Sequence, residues 1–64
     1  MEKLSLKQVR KLRGLTQEEF GKPLGLTRIA IARRESGETK WTLEEVRNIC
    51  EVFSIDPSIL SLEP

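Results

Sequence analysis

The chain has 64 residues, which is enough for one domain with a small hydrophobic core. We expect this domain to span residues 1–64. One cysteine excludes an internal disulfide, and the absence of histidine leaves no ligand set for a structural zinc ion. The net charge of +1 does not by itself indicate a nucleic-acid partner. The longest apolar run, Ile29–Ala32, is too short to span a membrane, so we expect a cytoplasmic protein.

The first predicted helix begins after Ser5 and ends near Gly14. Ser5 and Gln8 form a Ser-x-x-Gln capping box, in which the side chain of each residue bonds the backbone N–H of the other. Glycine at position 14 can adopt the left-handed conformation that ends many helices. Apolar side chains recur between these signals at helical spacing, at Leu6, Val9 and Leu12.

A second helix is predicted over about residues 17–24. Thr16 and Glu19 form a second capping box, which opens it. Gly21 weakens the helix by roughly 1 kcal/mol relative to alanine. Pro23 lies in the last turn and removes the backbone hydrogen bond to the Glu19 carbonyl, so the helix is expected to be short or kinked at its end.

The segment from residue 16 to residue 37 has the layout of a helix-turn-helix. Gly25 ends the second helix, and Thr27 is placed to cap a third helix over about residues 28–36. Gly37 follows the end of that helix. Two helices of about eight residues joined by a turn of about three are what this motif requires.

Two further helices complete the prediction. A Thr-x-x-Glu box beginning at Thr42 opens a helix over about residues 43–53. Asp56 followed by Pro57 is a helix start with proline in the first turn, which predicts a short fifth helix near residues 57–61. No segment alternates in the manner of a strand, so the predicted fold is all-α, a compact five-helix bundle without a sheet.

The apolar faces of these helices predict the core. Its only thiol, Cys50, lies on such a face and is expected to be buried rather than reactive. The last three residues are expected to fray. The predicted core residues are Leu6, Val9, Leu12, Leu15, Phe20, Leu24, Leu26, Ile31, Leu43, Val46, Ile49, Cys50, Phe53, Ile55, Ile59 and Leu60.

The motif and its flanks contain Leu15–Glu19, Leu24–Arg28, Ile31, Glu35 and Gly37. In these residues the chain resembles the lambdoid phage repressor and Cro (XRE-type) family of helix-turn-helix regulators. The similarity covers about residues 6–60. It implies a lambda repressor-like fold that binds double-stranded DNA with the second helix of the motif in the major groove. It also implies a homodimer on a pseudo-palindromic operator.

The resemblance places Arg28, Ile29, Ala32 and Arg33 against base edges. The guanidinium fork of arginine matches O6 and N7 of guanine, and the two apolar side chains suit thymine methyl groups. Solvated surface charge is the alternative for the arginines, and a place in the core or in a protein interface is the alternative for Ile29. Arg34 stands where relatives often carry an apolar residue, so its stem is expected to pack and its head to reach water.

The resemblance also assigns phosphate contacts and one ion pair. Gln17, at the start of the second helix, is expected beside a phosphate. Lys40 and Trp41, in the following loop, are expected to border the opposite strand, although Trp41 could instead cover the core between the third and fourth helices. Arg10 and Glu35 match positions that form a salt bridge in similar repressors, and Arg10 could also touch a phosphate. Two independent surface charges are the alternative.

Charge is unevenly distributed along the chain. Residues 1–15 carry five basic side chains against one acidic, and residues 41–64 carry one basic against five acidic. One side of the protein can therefore face phosphates. The resemblance to these repressors implies dimer contacts in the turn between helices four and five and in the C-terminal segment, at Ile55, Asp56, Pro57, Ser58 and Leu60.

The leading hypothesis for function is a sequence-specific DNA-binding regulator, repressor-like in action. The alternative is a protein-interaction module such as an antitoxin or an anti-repressor partner. Enzyme activity is not expected, because the chain has no histidine and no nucleophile with an evident base partner. No cofactor, small-molecule ligand or membrane association is indicated.

Overall fold

The computed structural model describes residues 3–61 and is mostly helical. Two short 3₁₀ turns and a pair of two-residue strands accompany the helices. The α-helices are α1 (Leu6–Leu12), α2 (Gln17–Gly21), α3 (Arg28–Glu35) and α4 (Leu43–Phe53). The 3₁₀ turns are Lys22–Leu24 and Pro57–Ile59, and the strands are β1 (Leu4–Ser5) and β2 (Leu60–Ser61).

Side-chain caps start the helices where the sequence predicts. Ser5, Thr16 and Thr42 each form a complete capping box with the residue three positions later. Thr27 accepts a hydrogen bond from the Ala30 N–H at 3.1 Å and so caps α3. These local contacts fix the start of each helix, and α2 packs against α3 as a helix-turn-helix.

The second helix is shorter than predicted. α2 ends at Gly21, and Lys22–Leu24 continue as a 3₁₀ turn. Pro23 has no N–H to continue the α-helical ladder, which is the physical reason for the change. Gly25 then adopts a left-handed conformation, with φ of 72°, and leads the chain into the turn before α3.

Gly21 permits a close approach between α2 and the turn that follows it. A Cβ at this position would lie 2.5 Å from the Leu26 carbonyl oxygen and 2.9 Å from Cγ1 of Ile31. Both distances are shorter than van der Waals contact, so a side chain here would force the backbone to move. The glycine that weakens α2 as a helix thus lets it pack against the turn.

The predicted fifth helix and the predicted absence of a sheet are both wrong. Pro57–Ile59 form a single 3₁₀ turn, so residues 3–61 contain four α-helices. Beyond that turn the chain extends, and β2 pairs in parallel with β1, Leu4 opposite Leu60 and Ser5 opposite Ser61. Proline starts a helical turn in this segment, but backbone pairing with the other end of the chain replaces its continuation. The predicted fraying of residues 62–64 lies outside the described residues.

The core forms where α1, α2, α3, α4 and the C-terminal segment meet. The phenyl ring of Phe20 is fully buried, stacks on Phe53 at 4.9 Å and meets Trp41 edge to face at 6.5 Å. Two predicted core residues are wrong: Leu12 is 74% exposed and Leu43 is 76% exposed. They occupy the last position of α1 and the first position of α4, beyond the part of each helix that meets the core. The buried apolar residues are Leu6, Val9, Phe20, Ile31, Val46, Ile49, Ile55 and Leu60.

The other six predicted core residues are half-buried and pack against the buried set. They are Leu15, Leu24, Leu26, Cys50, Phe53 and Ile59. Burial, and then the negative charge of Asp56, raise the pKa of the Cys50 thiol, so the thiolate is disfavoured. No helix within residues 3–61 has the length and apolarity needed to cross a bilayer.

Candidate nucleic-acid interface

One face of α3 projects into solvent. Arg28 and Arg33 are exposed, Ile29 is 54% exposed and Ala32 is half-buried. Ile31 is fully buried on the opposite face. The structure therefore excludes a core role for Ile29 and groups the four predicted base-contacting residues around an accessible surface.

Arg33 is free to reach a ligand. Its nearest acidic partner is Glu38, with Nε 3.8 Å from the Glu38 carboxylate, and the two side chains are 60% and 67% exposed. An ion pair this long and this exposed contributes little. A phosphate or a base edge would displace Glu38 at small cost.

The Arg10–Glu35 ion pair expected from the resemblance is present and buried. Arg10 donates from Nε to Glu35 Oε2 over 2.7 Å and from Nη2 to Glu35 Oε1 over 3.0 Å. Its Nη1 donates to the Leu15 carbonyl oxygen over 2.7 Å. Arg10 is only 8% exposed. This side chain thus joins α1 to the end of α3 and is poorly placed for a phosphate contact.

Gln17 joins the same cluster from α2. Its side-chain amide donates to Glu35 Oε1 over 3.0 Å, and the residue is half-buried. Burial by itself raises the pKa of Glu35, but the hydrogen bonds from Arg10 and Gln17, with the charges of Arg10 and Lys7, outweigh burial and hold the pKa below its usual value. Glu35 is therefore a charged anchor for α3 at neutral pH.

The loop between α3 and α4 places its two predicted contact residues differently. Lys40 is exposed at the surface. Trp41 is half-buried and packs its ring against Phe20. The Arg34 guanidinium lies over the same ring, 5.7 Å from its centroid. Trp41 thus covers the core between α3 and α4, which is the alternative that the sequence left open.

A contact that sequence reasoning missed holds α3 to α4. The predicted solvent-facing head of Arg34 instead forms a forked ion pair with Glu45, at 3.1 Å from Nε to Oε1 and 2.8 Å from Nη2 to Oε2. The two side chains are 15% and 19% exposed. The available signal was a charged residue at a position where similar regulators carry an apolar one.

The predicted dimer segment is only partly accessible. Ile55 and Leu60 are buried in the core of the single chain, so they offer little surface to a partner. Asp56, Pro57 and Ser58 are exposed, and Asp56 accepts a hydrogen bond from the Ser58 N–H at 2.9 Å. Beside this segment a surface groove of about 480 Å³ follows α4. Its lining residues are Leu43, Val46, Arg47, Cys50, Glu51, Ile55 and Pro57.

Comparison with known proteins bears on the whole described fold. A family model described as helix-turn-helix, of the Cro/C1 type, matches residues 6–60. No curated protein and no solved structure gave a match to the chain. The matched range includes all four helices, the exposed face of α3 and the ion pairs behind it. The chain therefore belongs to the Cro/C1-type (XRE) helix-turn-helix family of DNA-binding transcription regulators.

Proposed function

We propose that this protein is a sequence-specific regulator of transcription that places α3 in the major groove of double-stranded DNA. The observation that carries the proposal is the asymmetry of α3. One face offers Arg28, Ile29 and Arg33 to a ligand, while Ile31 and Glu35 fix the opposite face to the rest of the fold. A helix fixed on one side and exposed on the other can insert into a groove without unfolding.

The proposed base contacts divide by chemistry. Arg28 and Arg33 present guanidinium forks that match guanine O6 and N7, a pairing that discriminates by about 1–3 kcal/mol. Ile29 and Ala32 present methyl groups suited to the thymine C5-methyl. Such a face favours sites in which guanine and thymine lie within a few base pairs of each other.

Phosphate contacts would flank this face. Lys40 is exposed in the loop after α3, and Gln17 lies in the first turn of α2, at the positive end of that helix. Trp41 could contribute its indole N–H at the edge of the loop. Arg10 would act from behind, through Glu35, rather than on DNA.

We propose a homodimer on DNA, with each subunit taking one half-site about 34 Å from the other. The exposed segment Asp56–Ser58 and the groove along α4 support this arrangement. Arg47 and Glu51 lie one turn apart on the groove wall. A two-fold axis passing between these two residues, with the two α4 helices antiparallel, would set Arg47 of each copy against Glu51 of the other. The regulator would act in the cytoplasm by occupying a promoter.

Selection of binding sites from a random DNA pool, followed by titration on the selected site and a scrambled one, tests the proposal. Arg28→Ala and Arg33→Ala should each cost about 1–3 kcal/mol on the selected site and relax choice at one base pair. If both weaken the two DNAs equally, the arginines contact phosphates and the assignment of the reading face is wrong. A footprint covering a single asymmetric half-site at saturation would contradict the dimer.

A second candidate function is binding of a protein partner, as in an antitoxin or anti-repressor complex. One observation favours it: Ile29 exposes more than half of its surface at the centre of the α3 face. The same selection separates the two functions. A protein-binding module would enrich no DNA sequence, and its weak DNA binding would vanish at moderate salt.

A further inference from the structure

The end of α3 is held from two sides by ion pairs of opposite polarity. Glu35 accepts from Arg10 of α1 and Gln17 of α2, while Arg34 donates to Glu45 of α4. Adjacent residues of a helix point about 100° apart around its axis. Contacts from two such directions resist both rotation and tilting of the helix, which one contact alone would not do.

The Arg34–Glu45 pair is a built contact rather than a surface encounter. Two parallel N–H to oxygen bonds, at 3.1 and 2.8 Å, join the guanidinium fork to both carboxylate oxygens. Arg34 Nη1 also donates to the Ala30 carbonyl oxygen over 3.0 Å. The guanidinium carbon of Arg34 also lies over the Trp41 ring, 5.7 Å from its centroid. Lysine could keep a charge near that ring, but it lacks the fork that binds both oxygens of Glu45.

Glu45 also serves the start of α4. Its Oε1 accepts from the Thr42 N–H over 3.0 Å as part of the capping box, and the same oxygen accepts from Arg34 Nε. One carboxylate therefore joins α3 to the first turn of α4. Burial raises the pKa of Glu45, but the bonds from Arg34 and Thr42 outweigh it and hold the pKa below its usual value, so the pair is charged at neutral pH.

We propose that Arg34 and Glu45 are positioning residues for DNA recognition. They fix the position of the reading helix α3 relative to the loop of residues 37–42. The base contacts of α3 and the phosphate contact of Lys40 can then form on the duplex at the same time. This inference rests on the function proposed above. It assigns a role to an ion pair that touches no DNA.

The variant Glu45→Gln tests this proposal with little disturbance elsewhere. Glutamine keeps the oxygen that the Thr42 N–H needs, since it also serves in capping boxes, but it loses the charge and one acceptor for Arg34. Glu44→Gln is the matched control, since Glu44 is exposed on the same turn and loses the same charge. Arg34→Leu breaks the pair from the other side.

The first measurement is affinity for a selected site and for a scrambled site. Glu45→Gln and Arg34→Leu should each lower the ratio of the two affinities about tenfold, comparable with the effect of one mismatched base pair. Binding to the scrambled site should stay within about twofold, because phosphate contacts dominate it. The double variant should lose no more than the single ones, since they remove the same contact. Equal ratios for Glu45→Gln and Glu44→Gln would overturn the proposal.

The second measurement needs no DNA and separates this inference from the proposed function. Hydrogen exchange should quicken at the amides of α3 in Glu45→Gln, with α1 unchanged, and the fluorescence of Trp41, the sole tryptophan, should shift in Arg34→Leu. Exchange that quickens equally in α1 and α3 means that the pair only adds stability, and the inference fails. If the wild-type protein prefers no DNA sequence while α3 alone loosens in Glu45→Gln, the proposed function fails and the pair is still shown to hold α3.

Discussion

The two longest helices, α3 and α4, are held in the fold by different kinds of contact. α4 buries Val46 and Ile49 in the apolar core. α3 buries Ile31, but its C-terminal turn is held by charged side chains, with Glu35 paired to α1 and Arg34 paired to α4. α4 is packed mainly by apolar area, whereas the C-terminal turn of α3 is held by directed bonds.

That difference fits what each helix has to do. Apolar burial sets which face of α4 points inward, but it is less directional than a hydrogen bond and constrains small rotations less closely. Hydrogen-bonded ion pairs weaken steeply when distance or angle changes, so they fix orientation. If α3 presents particular side chains to base edges, as proposed, it gains from the second kind of contact. Loss of the apolar contacts of α4 should therefore unfold the protein, whereas loss of the ion pairs that hold α3 should also disturb the proposed recognition.

The largest expected effect is on the apolar side of this comparison. Ile49 is fully buried, so Ile49→Ala should lower the free energy of unfolding by about 2–5 kcal/mol. A domain of this size has only about 5 kcal/mol to lose. Urea denaturation followed by circular dichroism measures the change. Val52→Ala is the control on the same helix, 48% exposed and expected to change stability by less than about 0.5 kcal/mol. Equal losses at both positions would show that α4 does not pack as described.

A smaller loss of stability, combined with a loss of recognition, is expected behind α3. Glu35→Ala removes the acceptor for Arg10 and leaves a buried charge without its partner. The free energy of unfolding should fall by about 2–3 kcal/mol, and no further, because Arg10 keeps its bond to the Leu15 carbonyl. Affinity for a selected site should fall in parallel. Glu38→Ala is the control, since its ion pair with Arg33 is exposed and should contribute under about 0.5 kcal/mol. Similar denaturation midpoints for the two variants would break the comparison.

Local signals account for what the sequence predicted correctly. The capping boxes at Ser5, Thr16 and Thr42 operate within four residues, so no knowledge of the rest of the fold is needed to place the helix starts. The predicted fifth helix failed for the opposite reason. Its end is decided by backbone pairing between β1 and β2, which come from opposite ends of the chain and leave no trace in apolar spacing.

In the candidate site, too, local sequence signals predict some features, while contacts between distant parts of the chain decide others. The exposed face of α3 follows from helical periodicity once Ile31 is placed in the core. The Arg10–Glu35 pair came only from the resemblance to known repressors. The Arg34–Glu45 pair was missed because spacing along the chain assigns Glu45 to the capping box of α4, and nothing in that pattern shows a second partner.

Acid should weaken the anchors of α3 before it affects the apolar core. Glu35 and Glu45 have folded-state pKa values below their usual value, so the stability they add is present above about pH 4.3, the usual value for glutamate, and is lost as pH falls through the lower folded pKa. The free energy of unfolding should therefore be level near neutrality and fall below about pH 4. Glu35→Gln and Glu45→Gln should each reduce that acid slope.

Some acid dependence should remain even when both carboxylates are replaced. Glu19 and Asp56 also have lowered pKa values, because each accepts hydrogen bonds within its own cap, from Thr16 and Ser58 respectively. Urea titrations between pH 3 and pH 7 measure the slopes. A wild-type protein that becomes more stable as pH falls through this range would contradict the charged state assigned to both anchors.

The smallest effect is expected at Lys40, outside both sets of contacts. Lys40 is exposed, so Lys40→Ala should leave the free energy of unfolding within about 0.5 kcal/mol of wild type. If Lys40 contacts a phosphate, its loss should weaken binding to selected and scrambled DNA by the same factor. The slope of the logarithm of the binding constant against the logarithm of salt concentration should become shallower by about one. Lys22→Ala is the control, because Lys22 is exposed and follows the C-terminal end of α2, whereas Gln17 lies at the N-terminal end. If Lys40→Ala changes the preferred DNA sequence, Lys40 contacts bases rather than phosphate. If the salt slope does not change, Lys40 does not contact the DNA.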